Sequence, residues 1–91
     1  MALDPRVHAV RGDLADIRLA DRVFAPHYAK PMHCTVMRSV KLEAEPGGDI
    51  LAGLDPGERF ELLELAGNHA WGIACVPGLV GYCDRAALEP A

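Results

Sequence analysis

Apolar residues recur along most of this chain in short runs that turn residues separate, a pattern typical of strands rather than helices. Six such runs predict strands, at residues 32–38, 40–42, 50–54, 58–65, 71–76 and 79–83. Between them, Asp55-Pro56-Gly57 and Pro77-Gly78 have the chemistry of type II turns, because Pro presets φ and Gly accepts a positive φ. We therefore predict a mainly β domain of about five to six strands that closes on itself.

The two ends of the chain carry different signals. Asp84 follows the last apolar run and predicts the cap of a single helical turn that ends at Leu88. Near the start, Asp13 predicts the N-cap of a short helix over about residues 14–20. Residues 23–28 contain Pro26, which cannot donate to a central ladder, so this stretch is an edge strand or an extended arm. We divide the chain into an N-terminal arm with a short helix, residues 1–31, and a β domain, residues 32–91, on which the arm packs.

Composition and charge limit the classes of partner. The 91 residues, 51% of them apolar, are enough for one domain with one modest core. The formal net charge of -4 leaves no basic surface for nucleic acid or for an anionic membrane. The longest uncharged stretch, residues 68–83, is too short to span a bilayer, and the start lacks the pattern of a secretory signal. We expect a cytoplasmic protein with no nucleic-acid or membrane partner.

The thiols and imidazoles do not form a recognisable reactive or metal-binding motif. The three cysteines, Cys34, Cys75 and Cys83, cannot all pair within one chain, and none has the two-residue spacing of a redox or zinc motif. Alternation with Trp71 and Ile73 predicts that Cys75 points into the core. His33 and Cys34 are adjacent on a strand and so face opposite sides, which rules out a dyad. We predict no catalytic residue, no metal and no cofactor.

Aromatic residues are the better candidates for ligand contact. Flat rings offer contact area with little conformational entropy to lose, as in grooves that grip extended peptides. Core packing is the favoured alternative for Trp71, and a helix cap is the favoured alternative for Asp84. Glutamates at positions 58, 61 and 64 should fall on both faces of a strand and so form no acid/base pair. The candidate ligand-binding residues are Tyr28, His69, Trp71, Tyr82 and Asp84.

Several stretches resemble the bacterial SH3 (SH3b) pattern. They are Gly57-Glu58-Arg59-Phe60-Glu61-Leu62-Leu63-Glu64, then Trp71-Gly72, then Gly78-Leu79-Val80-Gly81-Tyr82-Cys83 followed by Ala87-Leu88. Upstream, Leu3-Asp4-Pro5-Arg6, Asp13-Leu14-Ala15 and Pro31-Met32 leading to residues 40–46 resemble the N-terminal SH3 module of NlpC/P60 cysteine peptidases. Two departures stand out, since His69 replaces a second Trp of related modules and Cys83 replaces the Val of their Gly-Tyr-Val.

The resemblance implies a small SH3-like barrel with a short N-terminal helix or arm and one helical turn near the C-terminal end. It implies a noncatalytic module of a cell-wall hydrolase, with the Cys-His peptidase domain lying downstream of Leu88. The partners would be peptidoglycan stem peptides or that peptidase domain. The alternative is a free-standing SH3-like adaptor that binds a protein partner, with a homodimer possible through an exposed apolar patch.

Overall fold

The computed structural model describes residues 6–11, 13–20, 25 and 27–91, and this part of the chain is mainly β. Its strands are β1 (Leu14–Asp16), β2 (His27–Ala29), β3 (Met32–Val36), β4 (Val40–Glu43), β5 (Ile50–Leu54), β6 (Arg59–Ala66), β7 (His69–Ala74), β8 (Leu79–Asp84) and β9 (Leu88–Pro90). Single 3-10 turns cover Ile17–Leu19 and Arg85–Ala87. Strands β1 and β2 form a parallel pair, and the other seven form one antiparallel sheet in the order β5-β4-β8-β7-β6-β3-β9.

The seven-stranded sheet curls until strands from its opposite ends share one core. Leu54 on β5 and Val36 on β3 lie in the same buried cluster, although five strand spacings, about 24 Å, would separate them in a flat sheet. Phe60 on β6 is the largest fully buried side chain of that cluster. The predicted small β fold of barrel-like shape is therefore confirmed. The full cluster is Val36, Leu42, Leu54, Phe60, Ala70, Ala74 and Cys83.

Two glycines face each other across β7 and β8 and allow the curl to be tight. A Cβ on Gly72 would overlap the carbonyl oxygen of Glu61 and lie 2.8 Å from the Phe60 ring. A Cβ on Gly81 would lie 2.7 Å from the carbonyl oxygen of Glu43. Backbone from neighbouring strands therefore approaches these positions more closely than a side chain permits, and this is why Gly81 occurs within a strand and not in a turn.

The predicted turns and strands correspond closely to the observed ones. Gly57 has a φ of 93°, and the Glu58 N–H donates to the Asp55 carbonyl oxygen at 3.2 Å, as a type II turn requires. Gly78 also has a positive φ, 69°, but its N–H donates to the Ala74 carbonyl oxygen at 2.9 Å, so the turn here spans five residues and is not the predicted type II turn. All six predicted strands are present with ends shifted by a few residues, and Asp84 caps the 3-10 turn by accepting a hydrogen bond from the Ala86 N–H at 2.9 Å. Strand β9, which pairs with β3, was not predicted because three residues ending in Pro carry no periodic signal.

The arm differs from its prediction. Residues 14–16, expected to begin a helix, form strand β1 instead, because they pair with β2 and Ala15 also bridges to Val10. Asp13 is not the cap; its carboxylate binds Arg11 at 3.0 and 3.1 Å. The cap of the 3-10 turn is the buried Asp16, which accepts the Arg18 N–H at 3.0 Å.

Of the predicted edge strand at residues 23–28, positions 23, 24 and 26 lie outside the described residues, and His27 and Tyr28 belong to β2. The pairing of β2 with β1 is parallel, so this part of the arm forms a small sheet of its own. The described ranges contain no helix of the length and apolarity that crossing a bilayer demands.

Candidate functional site

Four of the five candidate ligand residues lie on the outer face of strands β7 and β8. Trp71 pairs with Tyr82, and His69 pairs with Asp84. Because residues opposite each other, and residues two apart on a strand, share a face, these four side chains point to the same side of the sheet. Tyr28 is not brought to them: it belongs to β2, and its hydroxyl accepts the Ala25 N–H at 3.1 Å.

A β-bulge extends this outer face to two acidic side chains of β6. The register with β7 shifts between Leu62 and Glu64, so that Glu61 pairs with Ile73 and Glu64 pairs with Trp71. Since Trp71 and Ile73 share the outer face, their partners Glu61 and Glu64 share it too. The expectation that these glutamates fall on opposite faces is therefore wrong, because simple alternation does not account for the extra residue of a bulge.

Arg11 of the arm lies across the centre of this face. Its guanidinium carbon is 4.4 Å from the centroid of the Trp71 ring, within the range of a cation–π contact. Nη1 donates to the Tyr82 hydroxyl at 3.2 Å and forms an ion pair with Glu64 at 2.7 Å. Burial lowers the pKa of Arg11, but the hydrogen bonds to Glu64 and Tyr82 outweigh it and leave the pKa above its usual value. Arg11 thus ties the arm to the two candidate aromatic residues.

Further contacts hold the described arm residues along the sheet. The Val80 N–H donates to the carbonyl oxygen of Arg6 at 2.6 Å, and Arg18 forms an ion pair with Glu61 at 2.7 Å. Hydrogen bonds to Asp16 and Glu61 raise the pKa of Arg18, so its guanidinium group stays protonated and positively charged. Ala9 and Leu14 of the arm pack with Trp71 and Val80 in a second apolar cluster, which leaves Trp71 only 3% exposed. Trp71 is therefore a core residue of this cluster as well as part of the outer face.

Strands β4 and β8 are joined by a single residue pair, Glu43 with Tyr82, and a surface depression lies on each side of that pair. We call the line along which β4 and β8 lie side by side the seam. The first depression, about 290 Å³, lies beside Ala44 and Gly81 and is also lined by Arg6, Val10, Arg11, Glu45, Leu51, Trp71, Val80 and Tyr82. The second, about 530 Å³, lies beside Lys41 and Asp84 and is also lined by Ser39, Val40, Glu43, Asn68, His69 and Ala86. In an antiparallel pair, residues after Glu43 lie beside residues before Tyr82, and residues before Glu43 lie beside residues after Tyr82. The first depression has the first combination and the second depression has the other, so the two lie one after the other along the seam.

Asp84 is the most strongly held carboxylate of the second depression. Its pKa lies below the usual value, first because the Ala86 N–H hydrogen-bonds to it and next because Arg38 lies 3.0 Å away. The prediction of Asp84 as a helix cap is thus confirmed. It also remains at the surface, where His69 stands opposite it in the β7–β8 pair.

The cysteines lie in two kinds of environment. Cys34 and Cys83 are buried, whereas Cys75 is exposed. The prediction that Cys75 points into the core is wrong because β7 ends at Ala74, so strand alternation stops before it. Burial raises the pKa of Cys34 and Cys83, that of Cys83 to about 12. Partial desolvation and the nearby charge of Glu61 raise the pKa of the exposed Cys75. A nucleophilic cysteine needs a lowered pKa. Within the described ranges, no group of three or more His, Cys, Asp or Glu is placed to hold a metal ion.

The candidate site is therefore a seam with an aromatic centre and charged residues at both ends. It brings together the sequence candidates Tyr82, Trp71, His69 and Asp84 with Arg11 and Glu43, which the sequence analysis did not single out. The pairing partners of Tyr82 and Trp71 could be found only from the strand register, and Arg11 lies 71 positions from Tyr82 along the chain. Comparison with protein-family models, curated proteins and solved structures finds no match to this chain.

Proposed function

We propose that the chain is a noncatalytic SH3-like module that binds a short extended peptide along the seam. The peptide class is the stem peptide of peptidoglycan, and the module serves a murein hydrolase of the NlpC/P60 type by holding its substrate or shaping access to it. The substrate class comes from the sequence resemblance. The observation that carries the binding site is the pair of depressions in line on either side of Tyr82.

The dimensions of the seam suit a peptide of a few residues. The wall that β4 contributes runs from Val40 to Glu43, three residue steps, which is about 10 Å at about 3.3 Å per extended residue. An extended peptide of about four residues has the same length. The first depression, about 290 Å³, and the second, about 530 Å³, fall close to or within the size range of small-ligand pockets.

Tyr82 is suited to be the central contact because its position is fixed before a ligand arrives. Its ring lies beside Trp71 in the β7–β8 pair, and its hydroxyl is held by Arg11. A preorganised aromatic side chain loses little entropy on binding and offers a large contact area. The side chain lines the first depression and is half-buried, so it can pack against an apolar group of the peptide.

The raised pKa values of all three thiols argue against these cysteines as nucleophiles. A thiol that stays protonated at neutral pH is a poor nucleophile. In the arrangement that the resemblance implies, the reactive Cys and His belong to the peptidase domain, and this module contributes recognition alone.

A second candidate function, a protein-binding adaptor, is favoured by an apolar recess of about 230 Å³ beside β9. Met32 and Leu65 at this recess are 54% and 47% exposed, and β9 is an edge strand of the sheet. An exposed apolar recess next to an open strand edge is a common feature of protein-binding surfaces. A concentration-dependent dimer in analytical ultracentrifugation, abolished by Leu65→Glu, is the expected result for this alternative.

The proposed function predicts that a synthetic murein stem tetrapeptide binds saturably in isothermal titration calorimetry. Tyr82→Ala should weaken that binding by about tenfold or more, since truncating a central aromatic contact typically costs at least about 1.4 kcal/mol. Tyr28→Ala is the matched control, because it removes an exposed tyrosine that lines neither depression, and its affinity should equal that of the parent. Absence of binding, or equal weakening by both substitutions, would contradict the proposal.

A further inference from the structure

We propose that Trp71, Tyr82 and Glu64 form a guanidinium-binding cage, which Arg11 of the arm fills until an arginine side chain of a partner polypeptide replaces it. This inference is independent of the proposed function, because it concerns a basic partner and not the stem peptide.

The three cage residues contact different parts of one guanidinium group. The guanidinium carbon of Arg11 lies 4.4 Å from the centroid of the Trp71 ring, and its Nη1 lies 2.7 Å from a Glu64 carboxylate oxygen and 3.2 Å from the Tyr82 hydroxyl. A planar guanidinium can stack on a ring and donate hydrogen bonds from its edge at the same time, whereas an ammonium group has no flat face. The cage therefore suits arginine better than lysine.

The cage belongs to the sheet and not to the arm. Trp71 pairs with Tyr82 across β7 and β8, and it pairs with Glu64 across β6 and β7. The three side chains therefore stay together when Arg11 leaves. Among the described residues Glu64 has Arg11 as its charged partner, so an empty cage holds an unpaired carboxylate beside an aromatic ring, which attracts a cation.

Arg11 can leave the cage without losing all of its partners. Its Nε and Nη2 bind the two carboxylate oxygens of Asp13 at 3.0 and 3.1 Å, and the Asp13 side chain is 69% exposed. This pair can persist in water, so exchange costs only the contacts inside the cage, and an incoming arginine restores those. The cage opens into the first depression, since Arg11, Trp71 and Tyr82 all line it.

The arm keeps Arg11 close to the cage and so sets how strong a competitor must be. The Arg6 carbonyl oxygen accepts the Val80 N–H at 2.6 Å, and Ala9 packs with Trp71 and Val80. A group tethered in this way has an effective concentration in the millimolar range or above. A small guanidinium compound at lower concentration therefore fails to displace Arg11, whereas a polypeptide that makes further contacts beside the cage succeeds.

The test uses the Arg11→Ala variant, whose cage is empty, with N-acetylarginine amide as the probe. Acrylamide should quench the fluorescence of Trp71, the single tryptophan, more strongly in this variant than in the parent, and the probe should restore the quenching to the parent's level. N-acetyllysine amide, which has the same charge, should bind about fivefold more weakly. Arg59→Ala is the matched control, since it removes an exposed arginine that does not line the first depression, and its quenching should equal the parent's.

Two further variants check the assignment of the cage. Glu64→Gln, added to Arg11→Ala, should weaken binding of the probe by about fivefold or more, because the carboxylate that pairs with the guanidinium is lost. Arg11→Lys keeps the charge but should leave Trp71 more strongly quenched than in the parent. This last comparison needs no added ligand, so it tests the cage even when Arg11→Ala does not fold.

Several results would overturn the proposal. They are an absence of protection by N-acetylarginine amide, equal protection by the lysine compound, and quenching of Arg11→Lys at the parent's level. Protection that Glu64→Gln leaves unchanged would place the probe outside the cage, and an equal response of the parent would show that Arg11 does not compete for it. None of these results depends on the calorimetric titration with the stem tetrapeptide, so the two proposals fail separately.

Discussion

Glycine at position 72 decides how closely β6 can pack on β7. The missing side chain lets the backbone of Glu61 and the ring of Phe60 occupy the space where a Cβ would stand. Phe60 is fully buried at this point and fills the centre of the main cluster. The Trp-Gly pair in the sequence therefore serves both faces of one strand, since Trp71 faces outward under the arm and Gly72 faces inward against the core.

Gly72→Ala should destabilise the fold by about 2 kcal/mol or more, because a methyl group would overlap backbone that cannot move without disturbing the β6–β7 ladder. Gly53→Ala is the control: Gly53 is also a strand glycine, and a Cβ there meets nothing within 4 Å. Urea unfolding followed by circular dichroism measures both variants. Similar midpoints for the two would show that the close approach at Gly72 is not tight.

At the scale of elements, the bulge at Leu63 connects the sheet to the arm. By adding one residue to β6 it places Glu61 and Glu64 on the same face, where Arg18 and Arg11 reach them. A regular strand would turn Glu64 toward the core and leave Arg11 without its carboxylate partner. The arm therefore lies where it does because of a register irregularity in a strand distant from it in sequence.

Glu64→Gln should loosen Arg11 over Trp71 and increase the quenching of Trp71 fluorescence by acrylamide. The stability change should be small, about 1 kcal/mol or less, because the ion pair is partly exposed. The same effect should follow from added salt in the parent protein, which screens the pair. Glu58→Gln, which removes a carboxylate that hydrogen-bonds the Asp55 N–H in a turn, should leave quenching unchanged. Equal quenching in both variants would contradict the role of Glu64.

Alternation of apolar and polar residues, together with turn chemistry, predicts most of the β domain. It predicts neither the structure of the arm nor all residues of the candidate site. Six of the seven strands of the β domain, β3 to β8, were predicted, because most of their ends lie at Pro, Gly and Asp residues that act locally. Strand β1 is held by pairing with β2 and by the bridge from Ala15 to Val10, and Glu64 faces Arg11 because of the bulge at Leu63. Both depend on which segments pair and in what register, which the pattern of apolar and polar residues along the chain does not reveal.

At the scale of the whole molecule, the curl makes the β4–β5 hairpin part of the main core. Leu42 and Leu54 of the hairpin are buried with Val36 and Phe60 from the other half of the sheet. The backbone ladder between β4 and β8 has one residue pair, so side-chain packing is what holds the hairpin to the rest. The domain should therefore unfold as a single cooperative unit.

Leu54→Ala should lower the free energy of unfolding by about 3 kcal/mol, since it leaves a cavity where the two ends of the sheet meet. Ile50→Ala, at a 56% exposed position of the same strand, should change it by less than about 0.5 kcal/mol. Thermal unfolding followed by circular dichroism gives both values. Two separate transitions, or an unchanged midpoint for Leu54→Ala, would mean that the hairpin is not integrated into the core.

The single Glu43–Tyr82 pair makes the junction of β4 with β8 depend on the buried side chains beneath it more than on a backbone ladder. Protein interiors are close-packed and transmit strain. Residues of the β4–β5 hairpin line both depressions. A substitution that reshapes the buried layer under the hairpin, such as Leu54→Ala, is therefore expected to alter the surface above it as well as the stability.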